Sequence, residues 1–317
     1  MSKKSIPGLE GIPQEIIDAL VNKGYRSVEG LSITLASDLA EDIMISKETA
    51  EEIIEKAISG VAHPPITAAD LLIDEQNRGK LRTGAHGLDT LLDGGVWEKE
   101  ITEISGGYAT GKTQICFQLA VNAQLPKEEG GLSGKVFFID TEGTFSAKRI
   151  GTIAVAMGLD PQSVLKNIYY SHALDSKHQT RLVKSAADMA KDHNIKLVII
   201  DSIASHFRTD FVGKDRMIER QQRIMQHGSS LTNLAHVHGI AVVVTNQVVA
   251  NVDELSSSKD SRPALGQAWA HRPQTRILLR RSPGQARIAR LLDSPRHQEG
   301  EEFFYITPEG IRDRLNQ

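Results

Sequence analysis

Apolar residues recur along this chain in two patterns, one typical of helices and one of buried strands. Residues 12–25 and 46–60 carry apolar positions three and four residues apart, as on one face of a helix, and Ser46 is suited to cap the second stretch. From Gly84 onward, short apolar runs alternate with longer helical stretches. This alternation predicts an α/β fold in which a mostly parallel sheet lies between helices.

The predicted core strands are apolar runs of strand length, most of which end at a polar residue: 101–105 (ITEIS), 136–140 (VFFID), 197–201 (LVIID) and 240–247 (IAVVVTNQ). The carboxyl ends of parallel strands meet at one edge of a sheet, where ligands of open α/β folds bind. A further stretch, 276–294, is predicted to be a hairpin that turns at Pro283 and Gly284.

The two patterns divide the chain into three parts. Residues 1–62 are predicted to form a small all-α domain, and residues 84–317 are predicted to form the α/β core. Residues 63–83 are predicted to be a linker, because Pro64 and Pro65 stop a helix and favour an extended chain.

The first domain begins with the arrangement of a helix-hairpin-helix turn, in which Gly8, Gly11 and Pro13 precede the first helix. Such a turn can present backbone amides to a DNA phosphate. However, residues 1–62 hold six lysines and arginines against eleven aspartates and glutamates. This acidic balance disfavours DNA contact by the domain and leaves a packing or partner role as the alternative.

Composition limits the class of protein. Of 317 residues, 40% are hydrophobic and 24% are charged, as in a soluble globular protein, and the net charge of −3 requires any nucleic-acid-binding surface to be local. A single cysteine, Cys116, excludes an intrachain disulfide framework and fits a reducing cytoplasm. The apolar runs are too short to span a membrane, and residues 1–8 lack the apolar core of a signal peptide.

Residues 106–113 read GGYATGKT and fit the G-x-x-x-x-G-K-[ST] pattern of a phosphate-binding loop, or P-loop. Glycines in this pattern let backbone amides turn toward an anion. Lys112 is expected to reach the β- and γ-phosphates, and the Thr113 hydroxyl is expected to hold Mg²⁺. The strand before the loop and the apolar helix predicted over 114–123 supply the context that a P-loop requires.

Polar residues at other strand ends complete the predicted nucleotide site. Asp201 is interpreted as the Walker B carboxylate that holds Mg²⁺ through water. Glu142, just beyond the strand 136–140, is placed to orient an attacking water. Asn246 and Gln247 are amides suited to sensing a γ-phosphate.

Six segments, GGYATGKTQ, FIDTEGTF, LVIIDS, FRTDFVG, VVVTNQV and ALGQAWAH, occur in this order along the chain. Together they resemble the RecA-superfamily DNA strand-exchange recombinases, with the greatest likeness to archaeal RadA and its eukaryotic counterparts. The resemblance implies a RecA-like P-loop ATPase core with a helix-hairpin-helix amino-terminal domain. It also implies a DNA-dependent ATPase that uses ATP and Mg²⁺, forms filaments on single-stranded DNA, and catalyses homologous pairing and strand exchange in recombinational repair.

The same resemblance implies partners and a location. Single-stranded and double-stranded DNA, further copies of the chain in a filament or ring, and recombination mediators are the expected partners, with no membrane association. The protein is expected to be cytoplasmic and associated with the nucleoid of an archaeon.

The resemblance assigns roles to residues of the nucleotide site. Glu142 would be the catalytic base, acting with Lys112, and Gln247 would couple the γ-phosphate to the DNA-binding loops. Arg149 would stack on adenine, His271 would contact the γ-phosphate bound by a neighbouring subunit, and Asp293 would belong to a cap over the neighbour's ATP. Thr113 and Asp201 would hold the metal, and the loop residues expected to bind nucleotide are Gly106, Gly107, Tyr108, Ala109, Thr110, Gly111, Lys112, Thr113 and Gln114.

Two loops and a linker motif carry the implied DNA contacts and self-assembly. The first DNA loop would run over 208–220 and the second over 253–267. Residues 259–296 hold nine lysines and arginines against two acidic residues, which agrees with a local DNA path. Ile66 and Ala69 fall where the family has Phe-x-x-Ala, the motif that docks on the next protomer. The expected DNA-binding residues are Arg208, Lys214, Arg216, Arg220, Lys259 and Arg262.

Several departures from the family pattern keep a second interpretation open. Gly107 stands where glutamate is usual, Ile66 replaces the docking phenylalanine, and Lys214 replaces an arginine. The second loop lacks the usual Pro-Ile-Gly-Gly, and its Pro-Ala-Leu-Gly and tryptophan are similar to those of recombinase paralogs. The alternative is therefore a paralog or mediator that binds DNA and ATP and assists filament assembly. A ring helicase is disfavoured by the helix-hairpin-helix domain.

Overall fold

The amino-terminal part of the chain is helical. The computed structural model describes residues 5–62, 64–213, 215–249 and 262–314. Four helices form the first domain: α1 (Gln14–Asn22), α2 (Val28–Ser32), α3 (Ala36–Ile43) and α4 (Lys47–Val61). The two helices predicted from apolar spacing are confirmed as α1 and α4, and Ser46 caps α4 by accepting a 3.1 Å hydrogen bond from the Thr49 amide. The sequence missed α2 and α3, which are too short to establish a helical period.

A helix lies in the segment 63–83, which was predicted as a linker without a helix of its own. Helix α5 (Ala68–Asn77) begins with a capping box in which Thr67 and Asp70 bond reciprocally, and it has no buried residue. The prolines at 64 and 65 lie before it, so they end α4 without preventing a new helix. The domain boundaries at 62 and 83 stay a prediction.

The core contains a large sheet of mostly parallel strands. Its strand order is β12-β11-β10-β9-β3-β7-β6-β4-β5, with β8 paired to β7, while β1 and β2 form a separate two-stranded sheet. The strands are β1 (Lys80–Leu81), β2 (Val96–Trp97), β3 (Ile101–Gly106), β4 (Lys135–Asp140), β5 (Ile168–His172), β6 (Ile195–Asp201), β7 (Ala241–Val249), β8 (Arg262–Pro263), β9 (Thr275–Arg281), β10 (Ala286–Asp293), β11 (Glu301–Thr307) and β12 (Gly310–Arg312).

The strands from β9 to β5 in this order are parallel, whereas β10, β11 and β12 add antiparallel pairs. The predicted hairpin is confirmed as β9 and β10, joined through a 3₁₀ turn at Pro283–Gln285. All four predicted core strands are present as β3, β4, β6 and β7.

Helices cover both faces of this sheet. They are α6 (His86–Leu91), α7 (Lys112–Asn122), α8 (Ala147–Ala156), α9 (Pro161–Lys166), α10 (Ser176–Ala190), α11 (Ser205–Thr209), α12 (Met217–His238) and α13 (Gly266–Ala270), with a 3₁₀ turn at Lys127–Glu129. Within the described ranges, no helix is both long enough and apolar enough to cross a bilayer.

Two hydrophobic clusters occupy the two faces, because successive residues of a strand point to opposite sides. Phe138 of β4 belongs to the cluster that contains α7 and α8, whereas Phe137 and Ile139 belong to the cluster that contains α10 and α12. The predicted α/β architecture, with a mostly parallel sheet between helices, is therefore confirmed.

The amino-terminal domain packs on the face covered by α10 and α12. Ile33 is buried in that cluster, and its carbonyl oxygen accepts a 2.6 Å hydrogen bond from the Ser230 hydroxyl of α12. Arg223 of α12 forms a 2.7 Å ion pair with Asp38 of α3. One apolar anchor and several polar contacts therefore join the domain to the core.

Candidate functional site

The P-loop joins the end of β3 to the start of α7. Gly106 is the last residue of β3, and Gly111, in a left-handed conformation with φ 108°, is the N-cap of α7. The Lys112 ammonium folds back over the loop and donates hydrogen bonds of 3.0 Å and 2.9 Å to the carbonyl oxygens of Gly106 and Gly107. The loop amides and the α7 amino terminus therefore surround a position suited to an anion.

Close packing requires two of the three loop glycines. A Cβ at Gly106 would lie 2.6 Å from Thr110 Oγ1, and one at Gly111 would lie 2.7 Å from Ile306 Cδ1. At Gly107 the nearest atom would be 4.0 Å away. The departure from the family's glutamate at Gly107 is therefore not imposed by packing.

The remaining loop residues differ in exposure. Thr110 is buried and donates a 2.9 Å hydrogen bond to the Gly107 carbonyl oxygen, whereas the Tyr108 side chain is 98% exposed and Ala109 is also exposed. The Tyr108 ring therefore does not pack against the core of this chain, and it is accessible to another molecule.

The Thr113 hydroxyl meets the Asp201 carboxylate at the centre of the site. Thr113 donates a 2.6 Å hydrogen bond to Asp201 Oδ2, and Thr245 of β7 donates to Asp201 Oδ1. Burial raises the pKa of Asp201, and the nearby charges of Glu142 and Asp140 act in the same direction. Oxygen ligands of this kind suit Mg²⁺, so these residues fit the metal role that the sequence predicts for them.

Burial also affects Lys112. Desolvation lowers the pKa of its ammonium, while the charges of Asp201 and Glu142 oppose that shift. A bound polyphosphate would add negative charge beside the ammonium and favour its protonated form.

Glu142 lies where the predicted base should be, just beyond the end of β4. Its Oε1 atom accepts a 2.7 Å hydrogen bond from the Ser202 hydroxyl and a 3.1 Å hydrogen bond from the Gln247 amide. The turn that carries it is held by Asp140, whose carboxylate accepts hydrogen bonds from three backbone amides, those of residues 142, 143 and 145. Sequence reasoning missed Ser202, which follows a predicted strand end, and Asp140, which is the last residue of a predicted strand.

The prediction for Asn246 is wrong. Its side chain is buried and donates hydrogen bonds of 2.6 Å to Glu103 and 2.9 Å to the Ala264 carbonyl oxygen. Because neighbouring strand residues face opposite sides, only Gln247 points toward Glu142. One amide, not two, reaches the candidate site.

Glu103 is the centre of a buried polar network. It is fully buried in β3 and accepts hydrogen bonds of 2.7 Å from Arg276 and 3.2 Å from the Trp269 indole, besides that from Asn246. The network joins β3, β7 and β9 to α13, the helix that ends just before His271. The sequence signal for this buried network was Glu103 itself, a charged residue inside the apolar run ITEIS.

Arg149 packs beside the P-loop helix. It donates a 2.8 Å hydrogen bond to Gln114 Oε1 and a 2.6 Å hydrogen bond to the Thr307 carbonyl oxygen, and it also bonds the Pro308 carbonyl oxygen. The structure thus brings Arg149 and Gln114 together at one edge of the loop.

The residues expected to act on a neighbour's nucleotide are both exposed. His271 follows α13, and Asp293 ends β10 at an irregularity in the pairing with β9. In the linker, Ile66 is 59% exposed and Ala69 is also exposed. These four positions are accessible to a second molecule.

The first predicted DNA loop holds Arg216 in contacts of its own. The Arg216 guanidinium lies 4.7 Å from the centre of the Phe211 ring, pairs with Glu219 at 3.1 Å, and donates a 2.8 Å hydrogen bond to the Asp210 carbonyl oxygen. Arg208 is exposed and approaches Gln247 Oε1 at 3.5 Å.

The other predicted DNA residues are described in part. Arg220 is half-buried on α12, and Arg262 lies in β8. Lys214, Lys259 and most of the second predicted loop lie outside the described residues.

The loop that fits the P-loop pattern, the buried Asp201 at the end of β6 and Glu142 just beyond β4 define, on this sheet, a RecA-like P-loop core. Residues 76–314 match the family model described as Rad51. Over 310 residues the chain is 41% identical to the DNA repair and recombination protein RadA of Aeropyrum pernix, covering 98% of this chain and 97% of that relative. Over 312 residues it is 41% identical to the protein of the same name from Metallosphaera sedula, covering 98% and 96%. The chain belongs to the Rad51 family, which confirms the resemblance seen in the sequence.

Proposed function

We propose that this chain is an ATP-dependent DNA recombinase that forms filaments on single-stranded DNA and catalyses homologous pairing and strand exchange in recombinational repair. The observation that carries the proposal is the position of Gln247, whose amide contacts Glu142 on one side and approaches Arg208 on the other. A single side chain thereby connects the candidate base to the first DNA loop. The near full-length similarity to proteins named for DNA repair and recombination supports the same conclusion.

Different residues of the chain carry out different steps of ATP hydrolysis. The P-loop amides and Lys112 bind the phosphates of ATP, and Glu142 removes a proton from the attacking water. Mg²⁺, held by Thr113 and through water by Asp201, would neutralise charge on the phosphate oxygens. Arg149 lies beside Gln114 at the edge of the loop, which supports a contact with the adenine.

ATP also acts at the contact between protomers. His271 and Asp293 are exposed, so they are free to reach the γ-phosphate and the outer side of a neighbour's nucleotide. Ile66 and Ala69 dock on the next protomer, which makes 63–83 a linker and polymerisation segment. A nucleotide shared in this way holds a filament or ring together, and its hydrolysis releases DNA.

The DNA path is formed by the two loops after β6 and β7. Arg208, Arg216 and Arg220 come from the first loop and Arg262 from the second, and Lys214 and Lys259 would add to them. Contacts of this kind go mainly to phosphates, so single-stranded and double-stranded DNA both bind with little sequence preference. The protein acts in the cytoplasm on the nucleoid, together with recombination mediators.

A strand-exchange assay tests the proposal. The purified protein is mixed with ATP, Mg²⁺, circular single-stranded DNA and homologous linear duplex, and joint molecules are measured. Wild type should form them. Lys112→Ala should not, because the phosphates lose their side-chain cation, whereas Lys166→Ala, an exposed change on α9, should match wild type.

The same assay decides the second candidate, a recombinase paralog. The smaller anchor at Ile66 favours it, since less apolar area is available for docking on a neighbour. A paralog would bind DNA and ATP yet form no joint molecules alone. Electron microscopy with ATP and single-stranded DNA would then distinguish filaments from rings.

A further inference from the structure

Glu100, just before β3, holds the chain segment that follows Asp293. Its two carboxylate oxygens each accept a 2.6 Å hydrogen bond from the guanidinium of Arg296, and Glu100 is only 6% exposed. This two-bond geometry is the strongest form of an arginine–carboxylate pair. The same guanidinium lies 4.0 Å from the centre of the Trp97 ring. Arg296, three positions after Asp293, is therefore fixed against the segment between β2 and β3.

The linker contacts the same carboxylate from another direction. Arg78, the C-cap of α5, places a guanidinium nitrogen 3.8 Å from Glu100 Oε1 and is only 10% exposed. Arg78 also pairs with Asp74 of α5 at 2.9 Å, and Asp74 pairs with Lys99 at 2.6 Å. Because α5 buries none of its own side chains, its position depends on these polar contacts at its carboxyl end.

We propose that Glu100 is a positioning residue that couples the docking segment at Ile66 to the cap at Asp293. The inference rests on the proposed function, which assigns those two segments to contacts with neighbouring protomers. Arg78 and Arg296 share one buried anion, so a displacement of either guanidinium changes the electrostatic field at the other. Docking of the linker on a neighbour is thus coupled to closure of the cap over a nucleotide.

An ion pair confined to one surface helix offers a contrast. Lys47 pairs with Glu51 one turn further along α4 at 3.3 Å, and both side chains are exposed. Such a pair adds little to positions that backbone hydrogen bonds fix. Lys47 is therefore the control, because its replacement removes a cation–glutamate pair without touching the linker, the cap or the basic stretch 259–296.

Arg296→Gln and Arg78→Gln test the coupling in the full-length protein. Hydrolysis and light scattering are followed against ATP concentration with single-stranded DNA present. Each variant should raise the ATP concentration for half-maximal hydrolysis and assembly about fivefold or more, with kcat at saturating ATP kept. The double variant should show less than the product of the two effects, since both act through Glu100.

Three further measurements make the result decisive. ATP binding by dilute, unassembled protein should be unchanged in both variants, because each chain keeps its own P-loop. Arg296→Lys, which retains the charge but only one of the two bonds, should recover part of the ATP response, and Lys47→Gln should match wild type. An unchanged ATP requirement in Arg78→Gln, or a loss of kcat with an unchanged ATP requirement in Arg296→Gln, overturns the inference. If wild type itself neither assembles nor hydrolyses ATP, the proposed function fails instead.

Discussion

Thr113 and Asp201 are 88 positions apart in the chain, yet the hydroxyl of one donates a 2.6 Å hydrogen bond to the carboxylate of the other. The contact joins the first turn of α7 to the end of β6. Two oxygen atoms of the kind that Mg²⁺ prefers therefore lie close together. A Mg²⁺ ion held by Thr113 and, through water, by Asp201 would require little rearrangement of the chain.

Glu142→Gln should abolish ATP hydrolysis and leave ATP binding intact. The amide keeps the shape of the side chain and can still accept a hydrogen bond from Ser202, but it cannot take a proton from water. Filaments should consequently persist longer after ATP is diluted, as measured by light scattering. Glu128→Gln, on an exposed 3₁₀ turn, serves as the control. Hydrolysis at the wild-type rate in Glu142→Gln would show that another group is the base.

Arg216→Ala combined with Arg262→Ala should weaken ATP-dependent binding to single-stranded DNA and reduce its salt dependence. Each lost phosphate contact should reduce the slope of log K against log salt by about 0.7. Titrations at several salt concentrations measure this slope, and Lys47→Ala with Lys166→Ala removes the same charge outside the loops. Hydrolysis without DNA should stay near wild type. An unchanged slope would place the DNA path elsewhere.

Ile66→Phe should strengthen self-association if Ile66 enters a pocket on a neighbouring protomer. The larger side chain adds buried apolar area worth about 1 kcal/mol at ~25 cal/mol per Å², less any strain from overpacking. Sedimentation of the protein with ATP measures the change. Ile58→Phe, at a position 45% exposed on α4, controls for nonspecific association caused by added apolar surface. Equal gains in both variants would argue against docking through the linker.

Acid should destabilise the fold through His227. Burial lowers the pKa of this histidine to about 4 from the ordinary value of 6.5. Between those values the unfolded chain binds a proton that the folded chain does not, so the free energy of unfolding falls as the pH drops through this window, by about 3 kcal/mol at most. Urea unfolding at pH 7.0 and 4.5 measures the loss, which should be smaller in His227→Asn. Equal losses in the two proteins would exclude this histidine as the cause.

The features predicted well from sequence were those that a local pattern determines. The P-loop, its strand and its helix are contiguous, and the hairpin at Pro283 follows from turn chemistry and alternation. Asn246 was placed wrongly because the side of a strand that faces the site depends on register, and one residue reverses it. Glu103 had no recognisable role because its partners Trp269 and Arg276 are 166 and 173 positions away.

The linker shows a second limit of the sequence. Residues 68–77 are short and bury nothing, so their apolar spacing gave no period to detect, and a capping box between Thr67 and Asp70 starts the helix instead. Side chains that act through one shared charge, such as Arg78 and Arg296 at Glu100, are likewise invisible until the chain is folded.

Ile33 is buried on the α10–α12 face of the sheet, whereas the helix that carries the P-loop is buried on the other face. The amino-terminal domain is therefore attached on the side of the sheet opposite α7. A substitution at Ile33 should therefore disturb the packing of the domain against α10 and α12 and leave the packing of α7 unchanged.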